Sequence, residues 1–497
     1  MILNAPVYDV AQETPLESAP RLSDKLNNNV LIKREDLQPV FSFKIRGAYN
    51  KLVNLNTEER RRGVIAASAG NHAQGVALAA SKLDIKASIV MPETTPEIKV
   101  DGVRKFGANV ILYGDDFSAA LIKANEIAVK KSLVFIPPFD DPLVIAGQGT
   151  IGVELLRQCM EEIHAIFIPI GGGGLISGIG SYVKMVRPDI KIIGVESNES
   201  ASMYASLKKG RRVTLKNVGI FADGVAVATV GKEPFRLAKK VIDDVILADV
   251  DQICAAVKDL FEDTRSIAEP SGALAVAGMK NYVKLNGVKG KNLIAINCGA
   301  NVNFDRLRHI AERANYSESR EALYAVTIPE ERGSFKQFCR VLGKRNITEF
   351  NYRYSNDSKA RIFVGVALAG INFERATIMK VLNDNNYDVD DLTENDMAKL
   401  HIRHMVGGHL IQKQSEVIYR FEFPERPGAL MGFLNKMGRR WNISLFHYRN
   451  HGSAFGRVLC GFQVPENEIK AFRGFLGNLG YAHIEETNND AYKNFLC

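Results

Sequence analysis

The chain has 497 residues, 46% hydrophobic and 24% charged, which is enough for two to four domains with sizeable cores. Its net charge of +8 comes from scattered basic residues, and the main basic run, Glu59–Arg62, is typical of a solvated helix end, which disfavours a nucleic-acid partner. No stretch reaches the roughly 18 unbroken apolar residues that a membrane-spanning helix needs.

Cysteine usage and the N-terminus both indicate a cytoplasmic protein. The N-terminal residues show no basic region followed by an apolar one, so we expect no signal peptide. The cysteines form no Cys-x-x-Cys pair, and free thiols in a reducing compartment are the simplest interpretation. The six cysteines are Cys159, Cys254, Cys298, Cys339, Cys460 and Cys497.

Short apolar runs alternate with helix-like segments as far as about residue 305. The helix-like segments include 71–83 and 143–158. This alternation predicts an α/β fold with parallel sheets that carry helices on both faces. The predicted strands are 30–35, 64–70, 87–93, 109–114, 134–139, 165–170, 191–197 and 292–299.

Lys44 follows the first of these strands, in the stretch "VFSFKIRGAYN". It lies between Phe43 and Ile45, among neighbours that are mostly apolar or small. Taken alone, Lys44 fits a solvated surface charge. A buried lysine instead has a lowered pKa and becomes a usable nucleophile or base.

The loop "AASAGNHAQG" joins the second predicted strand to a helix. Ser68, Gly70 and the N–H groups around Asn71 and His72 can bind a carboxylate there. The Asn71 amide can also donate to a phenolic or carbonyl oxygen. The alternative is a capped helix start without a ligand, and His72 alone is more often structural than catalytic.

The run "IFIPIGGGGLISGIG" places Gly171–Gly174 between a strand and a helix that begins near Leu175. Glycines let backbone N–H groups approach a ligand, and the helix N-terminus favours an anion, so this turn predicts a phosphate site. No lysine follows as in the Walker pattern, and the dinucleotide pattern G-x-G-x-x-G fails. ATP and NAD are therefore disfavoured, and a tight turn without a ligand remains the alternative.

These features together describe one cofactor. A phosphate site, a carboxylate site and a lysine beside an aromatic residue are what pyridoxal 5′-phosphate needs, since its aldehyde bonds to a lysine amine. Cys298, after the last predicted strand, is on its own only a small core residue with a weak, neutral thiol.

The strand–helix alternation does not continue after residue 320, where a degenerate repeat begins. Residues 326–353 match 421–449, and each copy is predicted to form a strand, a turn, a helix, a strand, a helix and a strand. We therefore expect a first domain at 1–320 and two α+β modules at 322–405 and 417–497. Aligned pairs include Pro329 with Pro424, Gly333 with Gly428, Phe338 with Phe433, and Tyr352 with Tyr448.

The motifs "SFKIRGA", "SAGNHAQG", "GGGGL", "FADGVAV", "EPSGA" and "CGANVN" resemble those of the serine/threonine dehydratases. That family belongs to the tryptophan-synthase-β-like (fold type II) pyridoxal-phosphate enzymes. The resemblance covers about residues 5 to 320. The doubled C-terminal module extends it to the biosynthetic, threonine-deaminating members, which carry two ACT-like modules.

The resemblance implies a role for each motif residue. It makes Lys44 the residue that bonds the cofactor and removes the substrate's α-proton, and it places Cys298 opposite the pyridine nitrogen, where many relatives have serine. The cofactor would also contact Phe43, Asn71, Gly171, Gly172, Gly173, Gly174 and Leu175. The substrate carboxylate would bind at Ser68, Ala69, Gly70 and His72.

The resemblance also implies an activity. It is the conversion of L-threonine to 2-oxobutanoate and ammonia, the first committed step of isoleucine biosynthesis, with isoleucine as inhibitor and valine as activator. Tyr352 and Tyr448 are the expected effector contacts, core packing being the alternative for both. The family is typically homotetrameric. We predict no metal site, because Asp223 is a single carboxylate and His401 with His404 lacks a third ligand.

Two other functions remain open. One is a relative with the same cofactor but other chemistry, a serine dehydratase or a racemase, against which the doubled module argues. The other is a non-catalytic amino-acid sensor on the same scaffold, against which Lys44, Asn71 and the glycine run argue.

Overall fold

A computed structural model describes residues 1–304, 306–317, 321–329, 331, 333–343, 345–353, 359–368, 372–395, 416–424, 429–437, 440–449 and 455–489. The chain divides into two compact units, Met1–Ser317 and Glu318–Cys497. The expected histidine pair, Gly428 and residues 406–415 of the expected link between modules lie outside the described residues.

The first unit is built on two sheets. Its strands are β1 (Leu16–Ser18), β2 (Asn29–Arg34), β3 (Val64–Ala67), β4 (Ala87–Met91), β5 (Asn109–Leu112), β6 (Val134–Phe135), β7 (Ile163–Pro169), β8 (Lys191–Ser197), β9 (Asp244–Ala248) and β10 (Asn292–Asn297). One sheet has the order β1-β2-β10-β7-β8-β9, and the other has the order β5-β4-β3-β6. All pairs are parallel except β1 with β2.

Helices cover both sheets. They are α1 (Pro20–Leu26), α2 (Lys44–Val53), α3 (Thr57–Arg62), α4 (Asn71–Lys82), α5 (Glu97–Arg104), α6 (Phe117–Lys131), α7 (Pro142–Gln158), α8 (Gly174–Val186), α9 (Ser202–Lys209), α10 (Lys232–Val241), α11 (Val250–Thr264), α12 (Pro270–Asn286) and α13 (Arg306–Ser317). In β7, Phe167 packs in one core cluster while Ile166 and Ile168 pack in another. Burial on both faces explains why this strand is a continuous apolar run.

The predicted α/β fold is confirmed, and every predicted strand is present. Two strands were not predicted. β1 is three residues long, too short for a period-2 pattern, and β9 lies at the edge of its sheet and is only partly buried.

The second unit contains a single antiparallel sheet of order β14-β11-β13-β12-β16-β17-β15-β18. The first repeat forms β11 (Glu321–Pro329), α14 (Ser334–Leu342), β12 (Ile347–Arg353), β13 (Lys359–Ala367), α15 (Asn372–Asp384) and β14 (Asp388–Asp391). The second forms β15 (Glu416–Pro424), α16 (Ala429–Met437), β16 (Asn442–Arg449), β17 (Phe455–Gln463), α17 (Ile469–Leu479) and β18 (Ala482–Glu485).

Each repeat has one strand more than predicted, because β12 and β13, and likewise β16 and β17, form an antiparallel pair. The repeats join through β12 and β16, where Tyr352 lies opposite Phe446 and Phe350 opposite Tyr448. Alternate residues of the strands and the helices form a single aromatic-rich core.

Within the described residues, no helix is long and apolar enough to cross a membrane. The same residues contain no group of three or more potential metal ligands among His, Cys, Asp and Glu. The five described cysteines are all free thiols.

A buried ionic cluster holds α2 in place on the side of the helix away from Lys44. Arg46 is fully buried and donates to both carboxylate oxygens of Glu35 (2.8 Å each) and to both oxygens of Glu154 (2.5 and 3.0 Å). Lys33, also fully buried, donates to Glu154 at 2.5 Å. Two cations and two anions therefore balance each other, which offsets the cost of removing each from water.

Replacing Arg46 tests this cluster. We expect Arg46→Met to lower the unfolding free energy of the first unit by about 3–5 kcal/mol, because Glu35 and Glu154 are left buried without enough positive charge. Urea unfolding of the full chain measures it. Arg61→Met is the matched control, since Arg61 forms an exposed pair with Glu58, and it should shift no transition. Equal behaviour of the two variants would contradict the role of the cluster.

Candidate active site

A pocket lies at the carboxyl ends of strands from both sheets of the first unit. Ligands of open parallel sheets bind at these strand ends, because the following loops and helix N-termini meet there. The pocket is lined by Phe43, Lys44, Asn71, Pro138, Phe139, Gln148, Pro169, Gly171–Leu175, Gly224, Val225, Glu269, Ser271 and Cys298.

Lys44 is the first residue of α2, and its amine lies inside the pocket. The segment before it is held to the end of β10: Ser42 forms a bridge with Gly299, and the Phe43 N–H donates to the Cys298 carbonyl at 3.3 Å. The Lys44 Nζ donates to the Pro138 carbonyl at 3.0 Å and lies 5.3 Å from the Phe43 ring centroid. Lys44 is therefore not a solvated surface lysine.

Burial lowers the pKa of Lys44 to about 8, although the neighbouring Cys298 and Glu269 act in the opposite direction. Desolvation penalises the ammonium form, so a substantial neutral fraction exists near physiological pH. A neutral amine is what both Schiff-base chemistry and proton abstraction require.

The glycine run forms the turn from β7 into α8. Gly173 has φ +93°, a backbone conformation that favours glycine. A Cβ on Gly172 would lie 2.1 Å from Cδ1 of Phe139, and one on Gly171 would lie 3.0 Å from the Val225 Cα. Side chains are excluded there, and the first N–H groups of α8 lack intrahelical acceptors. This cradle suits a phosphate.

The loop from β3 into α4 holds the residues expected at the substrate carboxylate. Asn71 lines the pocket, and Ser68, Ala69 and Gly70 precede it as half-buried residues. The Gly70 N–H donates to Ser68 Oγ at 3.2 Å, and the space beside the Gly70 Cα is open to 4 Å. The loop can therefore receive a small anion on its main-chain N–H groups.

His72 contributes no positive charge. Its Nε2 lies 2.9 Å from the Ile136 carbonyl, so Nε2 carries the proton and donates. Burial, and then the charge of Lys44, lower the pKa of His72 to about 3. Any part of His72 in binding a carboxylate is therefore limited to its main chain or a neutral ring.

Cys298 lines the pocket as a neutral thiol. Its Sγ donates to the Ser271 carbonyl at 3.3 Å. Burial, and then the charge of Glu269, raise the pKa of Cys298 well above its ordinary value. The group expected opposite the pyridine nitrogen is therefore uncharged.

Eight lining residues had no role assigned from the sequence: Pro138, Phe139, Gln148, Pro169, Gly224, Val225, Glu269 and Ser271. Phe139 ended a predicted strand, and Gln148 stood inside a predicted helix, where its Oε1 accepts the Gly47 N–H at 3.2 Å. Glu269 lay in the quoted motif "EPSGA" but had no assigned role. The available signal was an acidic residue in an otherwise apolar stretch.

Asp223 forms ion pairs with two basic side chains. The Lys99 Nζ donates to it at 2.7 Å, and the Arg306 Nη1 lies 3.6 Å away. Asp223 itself remains exposed, so its ion pair with α5 lies at the surface.

The second unit has its own pocket where the two repeats meet. Tyr352 lines it and is 5% exposed, whereas Tyr448 is buried in the shared core and is not part of the lining. The pocket is lined by Ile328, Pro329, Glu331, Gly333–Lys336 and Tyr352 of the first repeat and by Leu434, Trp441, Asn442 and Ile443 of the second.

Comparisons with known proteins agree with this geometry. A family model described as pyridoxal-phosphate dependent enzyme matches residues 7–299. A second, described as the C-terminal regulatory domain of threonine dehydratase, matches residues 312–402 and again 407–496. The two matches to the second model correspond to the two repeats of the second unit.

Similar proteins extend over the whole chain. Biosynthetic L-threonine dehydratase IlvA of Burkholderia multivorans is 54% identical, covering 100% of this chain and 98% of that protein. The Escherichia coli protein of the same description is 52% identical, covering 100% and 96%. The structure of processed threonine deaminase isoform 2 from Solanum lycopersicum has a TM-score of 0.62 at 54% identity, covering 63% of this chain and 91% of that one. Maize serine racemase gives 0.58 at 31% identity, covering 62% and 96%.

The lowered pKa of Lys44 predicts a selective reaction in cofactor-free protein. We expect an amine-directed reagent to label Lys44 with a half-maximal rate near pH 8, because the amine reacts only after losing its proton. Exposed surface lysines of the same chain serve as the internal reference, since an unperturbed lysine in a model peptide titrates at about 10.4. Peptide mass spectrometry across a pH series measures the labelling of Lys44 and of the exposed lysines in one sample. If all of them shared one midpoint, the Lys44 amine would not be enclosed.

Proposed function

This chain belongs to the pyridoxal-phosphate-dependent enzymes and, within them, to the threonine dehydratases, and we propose that it converts L-threonine to 2-oxobutanoate and ammonia under feedback control by branched-chain amino acids. Support for this activity comes from relatives that are more than half identical over the whole of this chain. The observation that carries the proposal is the enclosed Lys44 amine, which faces the same pocket as the glycine cradle.

The residues present fit pyridoxal phosphate. Gly171–Leu175 offer N–H groups in a cradle that a Cβ would fill, and Lys44 offers an amine for the aldehyde. We assign the flat wall beside the ring to Phe43, the phenolic oxygen to the Asn71 amide, and the ring nitrogen to the Cys298 thiol.

When bound, pyridoxal phosphate supplies an electron sink for the carbanion formed at the substrate's α-carbon. The main-chain N–H groups of residues 68–72 hold the substrate carboxylate, and Lys44, in its neutral form, removes the α-proton. The uncharged Cys298 provides no carboxylate to hold the ring nitrogen protonated. A neutral group there would leave the bound cofactor a weak electron sink, which would favour elimination over transamination. The β-hydroxyl would gain a proton as it leaves as water, and the α-proton taken by Lys44 balances that proton overall.

We further propose that the pocket of the second unit binds the effectors, isoleucine as inhibitor and valine as activator. Glu331 suits an α-ammonium group, while Lys336 and the N-terminus of α14 suit an α-carboxylate. Ile328, Phe335 and Ile443 form an apolar wall for a branched side chain. Since both repeats line the pocket, a ligand there can favour one arrangement of the repeats over another.

Three finer statements belong to the same proposal. The reaction would be the first committed step of isoleucine biosynthesis, the protein would act in the cytoplasm, and it would assemble as a homotetramer. Tyr448, as the repeat equivalent of Tyr352, stays a predicted effector contact.

A keto-acid assay on threonine and serine, with and without isoleucine, tests the activity. We expect threonine to be deaminated, and Lys44→Ala to lower turnover at least about 10²-fold while removing the near-visible band that borohydride abolishes in the parent. Lys82→Ala, at the exposed end of α4, is the matched control. Unchanged turnover in Lys44→Ala would overturn the assignment, and release from serine alone would favour the serine dehydratase.

Glu331→Gln tests the effector site. Losing a charged hydrogen-bond partner should raise the isoleucine concentration for half-inhibition about tenfold or more. Glu466→Gln, exposed in the second repeat, should leave that concentration unchanged. An unaltered response in Glu331→Gln would place the effector elsewhere.

A further inference from the structure

Glu269 is a buried carboxyl that the mechanism above does not use. It precedes α12, is 3% exposed and lines the pocket with Lys44 and Asn71. Although it occupies the N-cap position, its side chain makes no capping hydrogen bond, so helix capping does not account for it. A buried carboxyl without a structural task is costly and requires another explanation.

The side chain of Glu269 is directed at the pocket residues. Its Oε1 accepts from the Asn71 Nδ2 at 2.7 Å and from the Ser271 Oγ at 2.9 Å. Two glycines make room for it: a Cβ on Gly299 would lie 2.8 Å from this oxygen, and one on Gly224 would lie 3.2 Å away. The surroundings are thus shaped to admit a carboxylate at this point.

Glu269 determines which end of the Asn71 amide faces which neighbour. A carboxylate only accepts, so the Asn71 amide must turn its NH₂ group toward Glu269. Its Oδ1 then faces the other way and accepts from the Asn301 Nδ2 at 2.7 Å. This leaves the second N–H of Asn71 as the group that can donate to a ligand oxygen. Without Glu269, only the Asn301 Nδ2, which also donates to the Val40 carbonyl at 2.8 Å, would hold the amide in this orientation.

Charged and titratable groups surround Glu269 on several elements. Burial raises the pKa of Glu269, and Asp223 raises it further, whereas Asn71, Ser271 and, last, Lys99 lower it. In turn, Glu269 favours the ammonium form of Lys44 and the thiol form of Cys298.

We propose that Glu269 is a positioning residue: it fixes the Asn71 amide as a hydrogen-bond donor toward the cofactor, and its charge acts on the Lys44 amine that lines the same pocket. This rests on the proposed function, because it assumes that the pocket holds pyridoxal phosphate. Glu269 acts through Asn71 and Lys44 and takes no part in bond making.

Two substitutions separate the two roles in cofactor-free full-length protein. Glu269→Gln keeps an acceptor but loses the charge and permits Asn71 to turn over. We expect the labelling midpoint of Lys44 to fall by about one pH unit and the Kd for pyridoxal phosphate to rise about tenfold. Glu269→Asp keeps the charge but retracts it, so the midpoint should stay near the parent's while the Kd rises.

Glu196→Gln is the matched control. Glu196 is also a fully buried carboxyl, but its oxygens accept the Met203 and Tyr204 N–H groups at 2.8 and 2.7 Å at the start of α9. It should change neither the midpoint nor the Kd.

The possible results separate the orienting role of Glu269, its charge role and the proposed function from one another. If Glu269→Gln keeps the parent's midpoint and Kd, or changes both no more than Glu196→Gln does, the proposal is wrong. A midpoint shift without a change in Kd would refute the orienting role, and the reverse would refute the charge role. A parent that binds the cofactor yet releases no keto acid from threonine would refute the function while leaving the result for Glu269 intact.

Discussion

The enclosure of the Lys44 amine is the constraint on which the arrangement of the first unit depends. An ammonium withdrawn from water loses its proton more easily, and its pKa of about 8 expresses that cost. The cost persists only if the helix that carries Lys44 cannot move the amine back into solvent. Arg46, two residues on and about 200° around α2, is held by Glu35 and Glu154 on the opposite side. The ionic cluster therefore holds α2 in place while Lys44 stays desolvated.

Around this amine, neutral groups and backbone amides outnumber full charges. His72 is neutral because burial removes its proton, and Cys298 is neutral because burial keeps its proton. The cradle proposed for the phosphate would use N–H groups instead of a cation. In such surroundings a single carboxylate acts strongly, since low polarisability leaves its field unscreened. The charge of Glu269 therefore acts on its neighbours in the pocket with little screening.

The second unit depends instead on the packing of its two repeats against each other. Two repeats of the same pattern continue one antiparallel sheet through β12 and β16, so their aromatic residues share one core. A change in how the repeats pack would alter a pocket lined by both of them, which is the physical basis of the effector response proposed above. The equivalence of the repeats is approximate: Tyr352 lines the pocket, whereas Tyr448 does not.

The sequence by itself determined the fold class, the repeat and the cofactor, because strand–helix alternation, "GGGGL" and the lysine after Phe43 are local patterns. It missed β1, β9 and the extra strand of each repeat, since short or partly buried strands carry little periodic signal. Only the tertiary structure decided that His72 is neutral, that Asp223 pairs with Lys99 and that Glu269 faces Asn71. Those facts depend on desolvation and on partners as far as 198 residues away along the chain, which no local pattern contains.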